Sequence, residues 1–236
     1  LTQLGRGSGP ITLADMLSIT RLTAWMENIT DLSGLEYAAN LEELDLWGNR
    51  VSDISPLAGL TKLRKLDLGS NFYVSDISAL ASLTDLEDLK IYVNDISDIS
   101  PLAGLTKLKT LALSNNKISG ISALSSLTNL TTLALGDNSI SDISALSSLT
   151  KLENLHLYGN KLSDISALAP LTKLENLNLG SNELSDISAL APLKKLTQLS
   201  LGGNHISDIS VLASLTKLES LGLEEKRSAT YPRWRR

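Results

Sequence analysis

From Ile19 onward the aliphatic and polar positions follow one frame, LxxLxLxxNx(I/L/V)xDIxxLxxLxx. It begins again at Leu41, Leu63, Leu86, Leu108, Leu130, Leu152, Leu174 and Leu196, with a truncated tenth copy from Leu218. The period is 22 residues except between Leu63 and Leu86, where it is 23, because Phe72 and Tyr73 replace the single residue that elsewhere follows the Asn. A constant period in this range predicts a solenoid, in which each unit buries its apolar side only against its neighbours. Within a unit, the alternation of Leu133-Ala134-Leu135 predicts a short strand with its leucines inward, so stacked copies make one parallel sheet. The Asn that follows, at positions 49, 71, 94, 116, 138, 160, 182 and 204, is expected in a buried turn, because a side-chain amide supplies donors and an acceptor to stranded backbone groups. Ser55-Pro56 and Ser100-Pro101 place a hydroxyl before a proline, which predicts Ser-capped helical or 3-10 turns on the outer face.

Both ends of such a stack need covers. Thr12 and Asp15 form a capping-box start to the amphipathic stretch Leu13-Ala14-Asp15-Met16-Leu17, which is expected to close the first unit. After Leu221-Gly222-Leu223 the frame stops and Lys226 stands at the Asn position; Tyr231, Pro232 and Trp234 either fold back over the last leucines or belong to a frayed tail. The division expected is a cap remnant over 1–18, nine full repeats and a partial tenth over 19–223, and a basic tail over 224–236.

The frame resembles leucine-rich repeats, specifically the 22-residue bacterial class of internalin-like surface proteins, on the segment SDISPL at Ser52 to Leu57 and again at Ser97 to Leu102. The resemblance runs from about Ile11 to Leu223. It implies an α/β fold, a curved horseshoe or right-handed superhelix with the sheet on the concave face. It also implies an extracellular or bacterial cell-surface location, a protein partner, and a further helix ahead of the cap, of which Leu1 to Gly5 would be the end.

Composition narrows the chemistry. Without Cys and with aromatic residues at 4%, the core must be aliphatic, and disulfides and thiolate metal sites are excluded. The formal charge of −5 conceals five basic residues among the last eleven; ahead of them 16 basic face 26 acidic residues, a body near −10. Such a body repels nucleic acid and anionic lipid. No apolar run is long enough to insert in a membrane.

Outward strand positions form ladders about 4.8 Å apart per repeat. The residue after LxL runs Trp25, Trp47, Gly69, Tyr92, Ser114, Gly136, Tyr158, Gly180, Gly202. The one inside LxL runs Thr23, Asp45, Asp67, Lys90, Ala112, Ala134, His156, Asn178, Ser200, and the one before it Arg21, Glu43, Lys65, Asp88, Thr110, Thr132, Asn154, Asn176, Gln198. The first half is charged and aromatic, the second small and neutral. Trp25, Trp47 and Tyr92, edged by Arg21, Glu43, Asp45, Lys65, Asp67, Asp88 and Lys90, with Phe72 and Tyr73 beside them, make a candidate contact patch, since aromatic anchors among charges are typical of interfaces. The alternative is a structural ladder of cross-strand ion pairs with Trp25 packed under the cap.

Asp45 and Asp67 are expected as neighbours. Paired carboxylates invite a cation or acid/base chemistry, but an open sheet offers no obvious pocket, and Lys65 and Lys90 are expected to neutralise them. The recurrent Asp at 53, 76, 98, 142, 164, 186 and 208 lacks the local ligand loop of a calcium site and is expected to cap outer turns. His156 and His205 are too far apart in the frame to share a metal and are expected to be solvated. No catalytic residue, cofactor or metal is implied. The expected function is recognition of a protein, or of a glycan, by a monomer; the alternative is a passive spacer, favoured by the near-identity of the repeats from Leu108 onward.

Overall fold

The computed structural model describes residues 10–224; the expected helix end at Leu1 to Gly5 and the tail residues Tyr231, Pro232 and Trp234 lie outside the described residues. A helix, α1 (Leu13–Ser18), leads into ten strands: β1 (Arg21–Thr23), β2 (Glu43–Asp45), β3 (Lys65–Asp67), β4 (Asp88–Lys90), β5 (Thr110–Ala112), β6 (Thr132–Ala134), β7 (Asn154–His156), β8 (Asn176–Asn178), β9 (Gln198–Ser200) and β10 (Ser220–Gly222). They form one parallel sheet in sequence order. Short 3-10 segments, such as Ser55–Leu57 and Ser122–Ser126, return the chain along the opposite side. This is the expected solenoid. Register is kept across the 23-residue step, where Leu66 pairs with Leu89, so the extra residue is absorbed in the turn and not in the sheet.

The middle leucine of each strand builds the core: Leu44, Leu66, Leu89, Leu111, Leu133, Leu155, Leu177 and Leu199 are all buried. At the ends the same column loosens, with Leu22 half-buried and Leu221 exposed, because among the described residues each has a strand neighbour on one side only. Among the described residues the first cover is incomplete. The Thr12–Asp15 capping box forms in both directions, yet no residue of α1 is buried. Between α1 and the first two turns an apolar cavity of about 550 Å³ remains, lined by Ile11, Leu13, Met16, Leu22, Leu35 and Leu46 among others.

The Asn turns are built as anticipated. Fully buried Asn71 accepts the Val51 N–H at Oδ1 (3.0 Å) and donates from Nδ2 to the carbonyls of Leu46 (3.1 Å) and Leu68 (2.9 Å), tying two repeats together. One feature was not anticipated: the residue just before the Asn takes left-handed φ in repeat after repeat, at Gly48, Ser70, Val93, Asn115, Asp137, Gly159, Ser181 and Gly203. For β-branched Val93 this conformation is strained. It is held by its N–H donating to the Ser114 carbonyl of the next repeat (2.9 Å).

The outer turns correct the sequence reading. Ser55 and Ser100 lie inside the 3-10 segments, and the preceding Ile54 and Ile99 supply no side-chain cap. The cap is the Asp two residues earlier: Asp53 and Asp98 accept the N–H of Ser55 and Ser100 (2.8 Å each), an Asx turn that holds both carboxyls below their ordinary range. Asp142, Asp164, Asp186 and Asp208 repeat the contact, in line with the expected capping role.

Candidate functional site

Parallel register aligns the outward residues into columns. Arg21, Glu43, Lys65 and Asp88 stand in one, and Thr23, Asp45, Asp67 and Lys90 in the next. All seven charged members line a single groove of about 300 Å³ over β1 to β4. Glu43 is its centre of charge, between Lys65 Nζ (3.0 Å) and Arg21 Nη2 (3.3 Å). The Lys65 contact, assisted by the charge of Arg21, holds Glu43 below the usual carboxylate range. Such part-exposed pairs contribute only about 0.2–1 kcal/mol each, so most of the charge in the groove is available to a partner.

The two aspartates are held mainly by the backbone. Asp45 Oδ1 accepts the Trp47 N–H (3.0 Å) and Asp67 Oδ1 the Gly69 N–H (2.9 Å). Lys90 approaches Asp67 at 3.8 Å, but Lys65 goes to Glu43, so the expected neutralisation of Asp45 by Lys65 is not the pairing observed. Burial pushes the Asp67 carboxyl up, and the charges of Asp45 and Asp88 add to this, against the Gly69 N–H and Lys90. One oxygen of Asp88, Oδ1, is covered and has no hydrogen-bond donor among the described residues.

The aromatic residues divide. Trp25 is 54% exposed, so it does not pack under the cap. Met26, which sequence reasoning passed over, is 58% exposed and lies against Gly48, extending the apolar surface beside Trp25; its only signal was adjacency to the ladder. Trp47 and Tyr92 are half-buried and belong together. The Tyr92 ring lies across Gly69, where a Cβ would sit 2.6 Å from Cε1 and Cζ, and so reaches back towards Trp47. Burial and the Asp67 charge hold the Tyr92 phenol above its usual value, while hydrogen bonding with Trp47 pulls it down. Apart from the Tyr92 phenol, the covered Trp47 Nε1 has no acceptor among the described residues. Phe72 and Tyr73, 56% and 62% exposed, do not line the groove; they stand on the turn after β3, with Phe72 in the left-handed region.

His205 is exposed, but His156 is half-buried in the middle of the sheet face, which corrects the expectation that both are solvated. Burial lowers its pKa. The neutral imidazole is favoured in the folded chain, so stability is full above the unfolded value near 6.5 and is lost as pH falls towards the depressed folded value. A pH series of urea midpoints between about 7.5 and 5 should therefore be steeper for the wild type than for His156→Asn; parallel curves would count against it.

The chain matches the family described as Leucine Rich repeats (2 copies) over residues 39–82, 84–126, 106–148, 128–170 and 150–192, and that described as Leucine Rich repeat over 193–213. Among solved structures it is similar to an internalin of Listeria monocytogenes, with 38% identity, TM-score 0.80 and coverage of 95% of this chain and 73% of that one. It is also similar to internalin C2 of the same organism, with 33% identity, TM-score 0.74 and coverage of 94% and 89%. A TDR receptor at 24% identity and TM-score 0.78 shares the fold alone, covering 89% of this chain and 39% of that one. No curated protein matches the chain. With repeats matched over most of its length and two internalins above 30% identity, the chain belongs to the leucine-rich-repeat family and is internalin-like within it.

Proposed function

We propose that the chain is a non-catalytic recognition module that binds a protein ligand through the first half of its sheet face, at a bacterial surface or after secretion. Leucine-rich-repeat domains are in general protein–protein interaction modules. The observation that carries the finer reading is the convergence of Arg21, Glu43, Asp45, Lys65, Asp67, Asp88 and Lys90 on one groove, with Trp47 and Tyr92 on the same strands and Trp25 exposed beside them. Mixed charges give a partner its orientation, and clustered aromatic side chains supply the anchoring contact.

The test is capture of cell-surface proteins by the wild type and by a Trp25→Ala/Trp47→Ala/Tyr92→Ala variant. Anchors of this kind are worth about 2 kcal/mol or more each, so the variant should bind at least about 30-fold more weakly. Its melting temperature should fall by only a few degrees, since none of the three residues is in the core. A variant that captures as well as the wild type removes the site, and a wild type that captures no protein at micromolar concentration favours a passive spacer.

A further inference from the structure

From β5 to β9 the outward positions on the strands and just after them carry no Asp, Glu, Lys or Arg. They are Thr110, Ala112 and Ser114, then Thr132, Ala134 and Gly136, and beyond them an amide-rich stretch around Asn154, Asn176, Asn178 and Gln198. Charged residues make up 20% of the chain and crowd the same columns on β1 to β4, so the neutral stretch is confined to one region. Burial lowers the pKa of His156, its one imidazole, and so favours the neutral form.

The surface also has relief. Small residues floor β5 and β6, between Lys90 of β4 on one side and His156 of β7 on the other. Tyr158 leans over Gly136, where a Cβ would lie 2.3 Å from Cε1, and so presents a half-exposed ring at the edge of the floor. The amides beyond it are already aligned: Asn176 Nδ2 donates to Asn154 Oδ1 at 2.6 Å. With rungs about 4.8 Å apart, the floor and its walls span an elongated trough across the strands.

We infer that this trough binds a neutral saccharide chain, with the Tyr158 ring against a sugar's C–H face and the Asn154, His156 and Asn178 side chains bonded to its hydroxyls. A hydroxyl both donates and accepts, as do a side-chain amide and a neutral imidazole, so the pairing needs no charge on either side. Desolvating such a surface costs less than desolvating an ionic one, and the cation at its edge, Lys90, already faces Asp67. The inference concerns different residues from the protein-binding groove and stands without it.

The experiment is retention of the full chain on immobilised neutral oligosaccharides, namely β-1,4-linked glucose, β-1,4-linked N-acetylglucosamine and α-linked mannose, with sulfated heparin as the charged control. At least one neutral ligand should be retained, equally at about 50 and 500 mM salt, since no ion pair is involved. Tyr158→Ala should bind at least about tenfold more weakly, and Tyr158→Phe, which keeps the ring, close to normally. Ala134→Glu, an outward substitution that fills and charges the floor, should abolish retention, while Trp47→Ala should not affect it; melting curves establish that each variant is folded. No retention of any neutral ligand at millimolar concentration, retention that salt removes, or retention indifferent to Tyr158→Ala and Ala134→Glu overturns the inference. Loss through Trp47→Ala instead would move the saccharide to the first half of the sheet and overturn it equally.

Discussion

Replacing Asn71 by alanine is expected to lower the free energy of unfolding by about 2–4 kcal/mol, a large effect for a single polar substitution. Asn71 is fully buried and serves three backbone groups, the Val51 N–H and the carbonyls of Leu46 and Leu68. Alanine leaves the Val51 N–H without a partner in a site closed to water, at about 1–3 kcal/mol, and takes one of two amide donors from each carbonyl, since Leu46 keeps Asn49 Nδ2 and Leu68 keeps Asn94 Nδ2 (2.9 Å each). Asn71→Asp separates the roles. It keeps the acceptor for Val51 but sets a carboxylate against two carbonyl oxygens, so it should be at least as destabilising at pH 7. The folded state raises the pKa of such a group, and stability should therefore recover as pH falls through that raised value and the carboxyl regains a donor. Urea midpoints of the three proteins at pH 7 and 5 decide the matter; a loss below about 1 kcal/mol for Asn71→Ala would show that water or a neighbouring group takes over the amide's bonds.

The second large effect is in the leucine column. Leu133→Ala should cost about 3–5 kcal/mol, the usual range for a buried leucine whose surroundings cannot collapse. Leu133 sits between Leu111 and Leu155 in register and is fully buried, so the cavity is walled by two repeats that are themselves pinned by hydrogen bonds on both sides. Leu221→Ala, the same substitution in the same column, should cost less than about 1 kcal/mol, because Leu221 is 40% exposed and, among the described residues, is paired in the sheet with Leu199 alone. The contrast tests the nearest-neighbour character of the stack. Equal losses at the two positions would mean that the end repeat is covered as tightly as the middle.

Much of the sheet face was legible because a 22-residue frame places equivalent residues on equivalent rungs, so Arg21, Glu43, Lys65 and Asp88 were aligned before any coordinates. Which neighbour each charge chooses was not legible. Lys65 lies within reach of both the Glu43 and the Asp45 columns, and it goes to Glu43, while the Trp47 N–H occupies one oxygen of Asp45. The lean of Tyr92 over Gly69 and of Tyr158 over Gly136 was equally hidden, since it depends on a missing Cβ one repeat away. The Ser cap fails for a local reason: Ser55 and Ser100 are themselves the first residues of the 3-10 segments, and a carboxylate two residues upstream accepts their own N–H.

The sequence by itself determined the period, the parallel sheet, the Asn turns and the division of the sheet face into a charged half and a neutral half. These follow from residue type at fixed spacing, and stacking transmits that spacing without distortion. Tertiary structure alone decided that, among the described residues, α1 leaves the first leucines partly open, that Trp25 stands in solvent while Trp47 is half-buried, and that the residue before each Asn turns left-handed whether or not it is glycine. Each of these is settled by contacts and hydrogen bonds from the adjacent repeat, which outweigh the preference of the residue itself.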